Sequence, residues 1–298
     1  MSAMQHTQGE GRPASGLSER ASRFMRDISE ELASGSITFP TSMDASLRIR
    51  RMIDDPDIGL EVLAKAIVAE PLLSSKLVRL ANSAAFRTGG PAVADVKTAA
   101  LRVGVARIRT LAIAVAVDQM VQARQMAPVK LLARQLWEHS VNVAALAFVL
   151  TRKLTGLNPD TALYAGIVHD IGQFYLLSRV ADYPELLDGS NDLSALMFDI
   201  HKSVGHAVLE SLGTPDEIVK AVDDHDIYGS GFPPGSLGDV LFIANQMAEA
   251  PNPFVVTDEY SRQVMRDAAV FGWDRSMVDA VVEESRAEME SIAGALKD

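Results

Sequence analysis

The chain has 298 residues, 48% of them hydrophobic, and carries a formal net charge of −11. This length and composition allow a substantial buried core, which excludes an intrinsically disordered protein. The sequence contains no cysteine, so disulfide frameworks and thiolate zinc sites are excluded, and any metal must be bound by imidazole, carboxylate or water. The acidic balance disfavours broad binding to the phosphate backbone of nucleic acids.

Residues 1–16 are polar, are rich in Gly, Ser and Gln, and are predicted to form a disordered tail. They lack the basic-then-apolar order of a secretory signal. The most apolar run, Leu111 to Val117, is too short to span a bilayer. We therefore expect a cytoplasmic protein that does not bind membranes.

The first half, residues 17–126, shows the apolar spacing of helices. The first helix is predicted from Leu17 onward, with its buried face at Ala21, Phe24, Ile28 and Leu32. A short extended stretch is predicted at residues 37–40, and a second helix from Asp44 to Asp55. Pro71 suits a first helical turn, and Gly104 is predicted to separate two further helices. No strand-like alternation is present, so the fold class is predicted to be all-α.

The polar stretch from Gln122 to Pro128 predicts a boundary between an N-terminal helical subdomain, residues 17–126, and a second subdomain, residues 127–298. One helix is predicted to run from Pro159 to Val180, with interruptions near Gly166 and Gly172. The other helices of this half are predicted at residues 131–154, 193–212, 215–224, 236–250, 258–271 and 276–296.

Five of the six histidines lie in the second half. His139 shares a predicted buried face with Val143, and a single histidine of this kind is more often a hydrogen-bonded core residue than a ligand. His169 and Asp170 place an imidazole and a carboxylate in one helical turn. The remaining candidates are His201, at the head of an apolar helix face, and the pair His225-Asp226, in an acidic cluster suited either to a cation or to water. His206 falls off the His201 face and is expected to be solvated.

Taken in order, the histidines and the His169-Asp170 doublet resemble the HD superfamily of metal-dependent phosphohydrolases. Three longer segments sharpen the resemblance and are similar to the HDOD family, a regulatory branch of that superfamily: residues 136–140 (LWEHS), 165–172 (AGIVHDIG) and 201–205 (HKSVG). Residues 70–86 (EPLLSSKLVRLANSAAF) and 99–104 resemble the family's N-terminal signatures. The similarity extends over roughly residues 37–245, which includes both halves.

This resemblance implies an all-helical fold in which an N-terminal helical subdomain packs on an HD-like helical core. It also implies a role in bacterial signal transduction, whereas hydrolytic activity is not general in the family. The metal ligands that it implies are His139, His169, Asp170, His201 and His225, with Asp226 able to add an oxygen ligand. The expected ion is iron, manganese, zinc or magnesium. No residue is assigned a catalytic role.

The chain departs from the family pattern at two positions. His225-Asp226 stands where many relatives have a His-His pair, and Asn245 stands where an HD enzyme has its final aspartate. An amide is a weaker ligand for a hard cation than a carboxylate, and it cannot act as a general base. The hydrolase set is therefore incomplete.

Two features of the first half have alternative interpretations. Asn82-Ser83 ends a predicted helix and is expected to satisfy backbone groups, because no histidine lies nearby in sequence to activate Ser83. Residues 100–107 are faintly similar to a helix-turn-helix, in which Arg107 and Arg109 would contact phosphates. The acidic charge of the chain disfavours that function.

Two functions remain. The first is a signalling output or scaffold module that binds a protein partner, a small molecule or a nucleotide and transmits its state through helix packing. The second is a metal-dependent phosphohydrolase or phosphodiesterase, in which a metal-bound water attacks phosphorus. The sequence favours the first, because Asn245 and Asp226 weaken the ligand set of an enzyme.

Overall fold

A computed structural model of the chain describes residues 18–35, 37, 43–55, 57–87, 91–188, 192–229, 231–255 and 274–297. Within these ranges the regular secondary structure is entirely helical, as predicted. The predicted tail at residues 1–16, the predicted helix at 258–271 and most of the predicted extended stretch at 37–40 lie outside the described residues.

The N-terminal half contains helices whose starts and stops follow local sequence signals. Pro71 occupies a first helical turn, and Asp95 accepts a hydrogen bond from the backbone N–H of Thr98 as an N-cap. Gly104 has φ of 84°, a conformation that other residues rarely adopt, and it separates two helices as predicted. The helices are α1 (Glu19–Ala33), α2 (Asp44–Ile53), α3 (Leu60–Val68), α4 (Pro71–Asn82), α5 (Val96–Val103) and α6 (Val105–Gln122).

The last residue of α4, Asn82, has a structural role, as its position at a helix end predicted. Its amide donates to the carbonyl oxygens of Val78 and Val93 and accepts from the backbone N–H of Val93. The side chain thereby ties the connection after α4 to the end of that helix.

The second half is built around α7 (Lys130–Leu154), a long helix that packs against neighbours on several sides. A 3-10 turn at Arg124–Val129 connects α6 to α7. The predicted subdomain boundary at residues 122–128 coincides with this turn and stays a prediction. The other helices are α8 (Pro159–Val168), α9 (Ile171–Val180), α10 (Asp192–Ser211), α11 (Asp216–Asp224), α12 (Leu237–Met247), α13 (Arg275–Glu284) and α14 (Arg286–Lys297).

The predicted interruptions at Gly166 and Gly172 were wrong, because the helix breaks between them, at His169-Asp170. Both glycines lie inside helices and permit close packing. A Cβ atom on Gly166 would lie 2.4 Å from Ala144 Cα of α7, and one on Gly172 would lie 2.0 Å from the carbonyl oxygen of His201 on α10. The glycines therefore bring α8 against α7 and α9 against α10, and the doublet occupies the bend between α8 and α9.

The predicted single helix at residues 276–296 was also wrong, since α13 ends at Glu284 and α14 begins at Arg286. The second of these helices packs against α4, α6 and α7 and so links the two halves.

The C-terminal end of α14 contacts Lys76, a fully buried lysine of α4. The Lys76 ammonium lies 3.1 Å from Asp118 Oδ2 and donates to the carbonyl oxygen of Leu296 at 2.6 Å. A cation at this end of α14 compensates the helix dipole and caps its last carbonyls.

The first helix, α1, lies against α10 and the Pro184–Leu187 turn in the second half. The hydroxyl groups of Tyr175 and Tyr183 donate to Glu31 and Asp27 of α1, respectively. Helices from both ends of the described chain therefore pack against the second half.

None of the described helices is both long enough and apolar enough to cross a membrane.

Candidate metal centre

Three of the predicted ligands converge where the α8–α9 bend meets α7. Each of His139, His169 and Asp170 offers one ligand atom, and these atoms lie within 4.8 Å of one another. The Nε2 atoms of the two histidines are 3.3 Å apart. Asp170 Oδ2 lies 3.1 Å from His169 Nε2 and 3.6 Å from His139 Nε2. All three residues are at most 3% exposed, so the cluster is closed to solvent.

The ring orientation of both histidines is set by backbone carbonyl groups. His139 Nδ1 donates to the carbonyl oxygen of Ala250 at 2.7 Å, and His169 Nδ1 donates to that of Gly166 at 2.8 Å. Because a carbonyl oxygen only accepts, the proton of each neutral ring is assigned to Nδ1 and its lone pair to Nε2. Two lone pairs and a carboxylate oxygen then face one another, an arrangement that requires a proton or a metal cation between them.

The pKa values of the two histidines in the cluster shift in opposite directions. Burial lowers the pKa of His139. Burial also opposes a charge on His169, but the carboxylate of Asp170 and the hydrogen bonds outweigh it and raise its pKa. Burial would raise the pKa of Asp170, whereas the facing imidazoles hold it well below its usual range. These directions favour an ionised Asp170 and make His169 a more basic imidazole than His139.

His225 and Asp226 adjoin the cluster without belonging to it. The His225 ring is buried, and its centroid lies 5.5 Å from that of His169. Its Nδ1 donates to the Val222 carbonyl, and its Nε2 lies 3.3 Å from Asp226 Oδ1. Burial lowers the pKa of His225. The other Asp226 oxygen pairs with Lys202 Nζ at 2.7 Å, so this carboxylate already has two charged or polar neighbours.

His201 lies at the surface end of this series, outside the group of three. It is partly exposed, and its Nδ1 donates to the carbonyl oxygen of Phe198 at 3.1 Å. His206 is also partly exposed, and it pairs with Asp223 at 2.9 Å, which raises its pKa. Of the six predicted ligands, three converge, two adjoin them, and His201 is not in the group of three.

Two residues that the sequence did not indicate complete the surroundings of Asp170. Asn252 Nδ2 donates to Asp170 Oδ2 at 2.8 Å and to Gln173 Oε1 at 2.9 Å. Gln173 follows the doublet by one helical turn, so its spacing was a usable signal. Asn252 is 82 residues distant from Asp170 in the chain, and only its position between Pro251 and Pro253 marks it in the sequence.

Asn245 of α12 lies beside the His139 ring, where its side chain favours the charged imidazole. An uncharged amide therefore stands next to the cluster at the position where the HD pattern has a carboxylate. The donor set of two imidazoles and one carboxylate fits a divalent metal of mixed nitrogen and oxygen preference. Its remaining positions would have to be filled by water or by weaker donors.

Comparison with known proteins agrees with this architecture. The sequence profile of the HDOD domain matches residues 39–228, which is more than half of the chain. The chain belongs to the HDOD family. The matched segment includes His139, His169, Asp170, His201 and His225, whereas Asn245 and Asn252 lie beyond it.

Solved structures from three bacteria share the fold of this HDOD protein. A Shewanella amazonensis SB2B protein, named by inference as a metal-dependent phosphohydrolase, has 22% sequence identity and a TM-score of 0.72, with coverage of 94% of this chain and 100% of the other. An HDOD domain protein of unknown function from Geobacter sulfurreducens has 20% identity, a TM-score of 0.58 and coverage of 92% and 98%. A Marinobacter aquaeolei VT8 protein, named by inference as a signal transduction protein, has 17% identity, a TM-score of 0.59 and coverage of 95% and 67%.

One curated sequence relative is an uncharacterized protein of Treponema pallidum (strain Nichols), 26% identical over 196 residues. The alignment covers 60% of this chain, which spans 36% of the length of that relative. Together with the helices of the described residues, these similarities establish an all-α fold for this HDOD protein.

The arginines of the helix-turn-helix-like stretch are engaged within the protein. Arg107 Nε pairs with Asp160 Oδ1 at 2.6 Å, and its guanidinium lies 4.6 Å from the centroid of the Phe86 ring. Arg109 pairs with Asp54 at 3.0 Å. Binding of nucleic-acid phosphates by these side chains would require the loss of internal ion pairs.

Proposed function

We propose that this HDOD protein is a bacterial signal-transduction output or scaffold module, which acts by binding a protein partner, a small molecule or a nucleotide. The observation that carries the proposal is the enclosure of the His139, His169 and Asp170 cluster, whose members are at most 3% exposed. A metal that turns over substrate needs an open coordination position that the substrate can reach. A buried ion suits a structural or regulatory role.

The surface near the cluster supports the same function. Among the described residues, a cleft of about 820 Å³ lies between α7 and α14. Its wall includes Ala250, Pro251 and Pro253, but none of the three cluster residues lines it. The loop that contains these residues therefore separates the cleft from the cluster, so a phosphoester in the cleft would not touch the candidate ligands.

His139, His169 and Asp170 would hold the metal and would join α7 to the α8–α9 bend through it. Two imidazole donors favour iron, manganese or zinc over magnesium, which prefers ligand sets made of oxygen. When bound, such an ion supplies positive charge and polarises a water ligand. Asn245 cannot accept a proton from that water, because an amide is not a general base at neutral pH.

A metal-dependent phosphohydrolase or phosphodiesterase is the second candidate. It is favoured by the convergence of three ligand atoms within 4.8 Å and by the similarity to the Shewanella protein named by inference as such an enzyme. This function requires that the enclosed cluster open to admit substrate. It also requires a base other than Asn245.

Metal content and turnover measured on the same preparation separate the two functions. The full chain is loaded with Mn²⁺, Zn²⁺ or, without oxygen, Fe²⁺, and metal is quantified by mass spectrometry after gel filtration. The loaded protein is then incubated with a panel of nucleotides and phosphodiesters. His169→Ala tests the cluster, and His206→Ala is the matched control, because His206 is a partly exposed histidine outside the cluster.

We expect about one bound ion that is lost in His169→Ala and kept in His206→Ala, with no metal-dependent turnover. Affinity capture from a bacterial lysate should recover a partner whose retention differs between loaded and metal-free protein. Turnover that disappears in His169→Ala and persists in His206→Ala would overturn the proposal in favour of the phosphohydrolase.

A further inference from the structure

The loop after α12 contacts both sides of the histidine and aspartate cluster. The carbonyl oxygen of Ala250 accepts the proton of His139 Nδ1, and the amide of Asn252 donates to Asp170 Oδ2. These two contacts are separated by a single residue in the chain. One short segment therefore orients one candidate ligand on α7 and another at the start of α9.

Asn252 uses its whole side-chain amide in this position. Its two N–H groups are directed to Asp170 Oδ2 and Gln173 Oε1, and its Oδ1 accepts from the backbone N–H of Phe254 at 2.9 Å. The contact to Phe254 fixes which end of the amide is the oxygen, because a backbone N–H can only donate. Since Asn252 is 8% exposed, water does not substitute easily for these bonds.

The sequence around Asn252 restrains the loop in advance. Pro251 and Pro253 flank it, so the φ angle is restricted on each side and Asn252 itself is biased towards an extended conformation. These restraints reduce the conformational entropy that is lost when the side chain is ordered. The loop is thus suited to present one polar side chain in one orientation.

We propose that Asn252 is a positioning residue for the metal centre, which holds the Asp170 carboxylate in the orientation that faces His139 and His169. This inference rests on the proposed metal site. Hydrogen bonds of this kind to a metal-binding carboxylate typically contribute about 10–100-fold to metal affinity. Asn252 lies beyond the segment matched by the HDOD profile, which ends at residue 228.

The decisive variant is Asn252→Ser. A serine hydroxyl can still accept from the N–H of Phe254, two residues on, and so preserve the local turn. It is about one bond too short to replace the amide at Asp170. Asn142→Ser is the matched control, because Asn142 lies on α7 at the nearby cleft and hydrogen-bonds only the carbonyl oxygen of Glu138 among the contacts described. Gln173→Met removes the second acceptor of the Asn252 amide while leaving the Asp170 contact.

The measurement is calorimetric titration of the metal-free 298-residue chain with Zn²⁺ in the presence of a competing chelator. We expect Asn252→Ser to weaken binding by about 10–100-fold, and Asn142→Ser and Gln173→Met to change it by less than about threefold. Thermal unfolding of each metal-free variant shows whether the protein remains folded. Folded Asn252→Ser that binds Zn²⁺ within about threefold of wild type overturns the inference.

A second measurement needs no metal. The imidazole ¹⁵N shifts of His169 are compared at one fixed pH between metal-free wild type, Asn252→Ser and Asn142→Ser. If Asn252 orients Asp170, only Asn252→Ser should shift the His169 signals, because the carboxylate facing Nε2 moves. Unchanged signals overturn the positioning role. If wild type binds no metal while the His169 signals shift in Asn252→Ser, the proposed metal site fails. The orientation of Asp170 by the Asn252 hydrogen bond is then still supported.

Discussion

The contact between α9 and α10 allows a sharp test of the packing around the cluster. Gly172 lies in the first turn of α9, two residues after Asp170. In Gly172→Ala the new Cβ would lie 2.0 Å from the carbonyl oxygen of His201 and 2.7 Å from the backbone nitrogen of Gly205. Ordinary contact begins at 3.4 Å. The two helices would therefore have to separate by about 1.4 Å, which is the difference between 3.4 Å and 2.0 Å. A tightly packed interior cannot absorb this overlap in another way.

The expected cost follows from the atoms involved. Over-packing typically costs about 1–3 kcal/mol, and we expect the upper end, near 3 kcal/mol, because the obstructing atoms are backbone and cannot rotate away. At roughly 2–4 °C per kcal/mol for domains of comparable size, the Tm should fall by about 6–12 °C. Because Asp170 lies at the N-terminal end of α9, the same movement should also weaken metal binding.

Gly205→Ala is the matched control at the same helix crossing. Its new Cβ would lie 3.5 Å from Gly172 N, which is ordinary contact, and alanine is favoured over glycine within a helix by about 1 kcal/mol. Thermal unfolding followed by circular dichroism should therefore give a Tm equal to or above that of wild type. If both variants unfold within about 2 °C of each other, the inferred close approach of α9 and α10 is incorrect.

Three further predictions concern charge. Metal affinity should weaken by about tenfold per pH unit below the raised pKa of His169, because metal binding displaces the proton of that imidazole. Above that pKa the affinity should level off. Metal titrations at a series of pH values spanning 6.5 that give a constant affinity would contradict this. Lys76→Met should lower the free energy of unfolding, measured in urea, by about 3–5 kcal/mol, because it leaves Asp118 without its buried partner. A decrease below about 1 kcal/mol would be inconsistent with that ion pair. Arg107→Ala should lower the free energy of unfolding by about 1–2 kcal/mol, whereas the control Arg275→Ala, at an exposed ion pair, should lower it by less than about 0.5 kcal/mol. Equal decreases would argue against the stacking of Arg107 on an aromatic ring.

The candidate site was predictable only in part. His139, His169 and Asp170 were identifiable because the doublet and a histidine on a buried helical face resemble a known pattern. His201 was predicted as a ligand from the same pattern, yet it is partly exposed and is not in the group of three. The sequence did not predict how α9 and α10 cross. That crossing decides where His201 of α10 lies relative to the cluster.

The glycines show a similar limit for helix boundaries. Gly166 and Gly172 suggested interruptions because glycine weakens helices, whereas both serve close packing against a neighbouring helix. A sequence alone does not distinguish a glycine that ends a helix from one that admits another backbone. The positive φ of Gly104 is the contrasting case, where the predicted break and the observed one agree.

By itself the sequence determined the all-helical class, most helix positions and the HDOD family, because hydrophobic spacing, capping residues and motifs are local properties. The tertiary structure decided which polar side chains meet. The contacts of Ala250 with His139 and of Asn252 with Asp170 join positions 111 and 82 residues apart. Such contacts depend on how helices pack and where the connecting loops lie, and no local pattern in the chain encodes those distances.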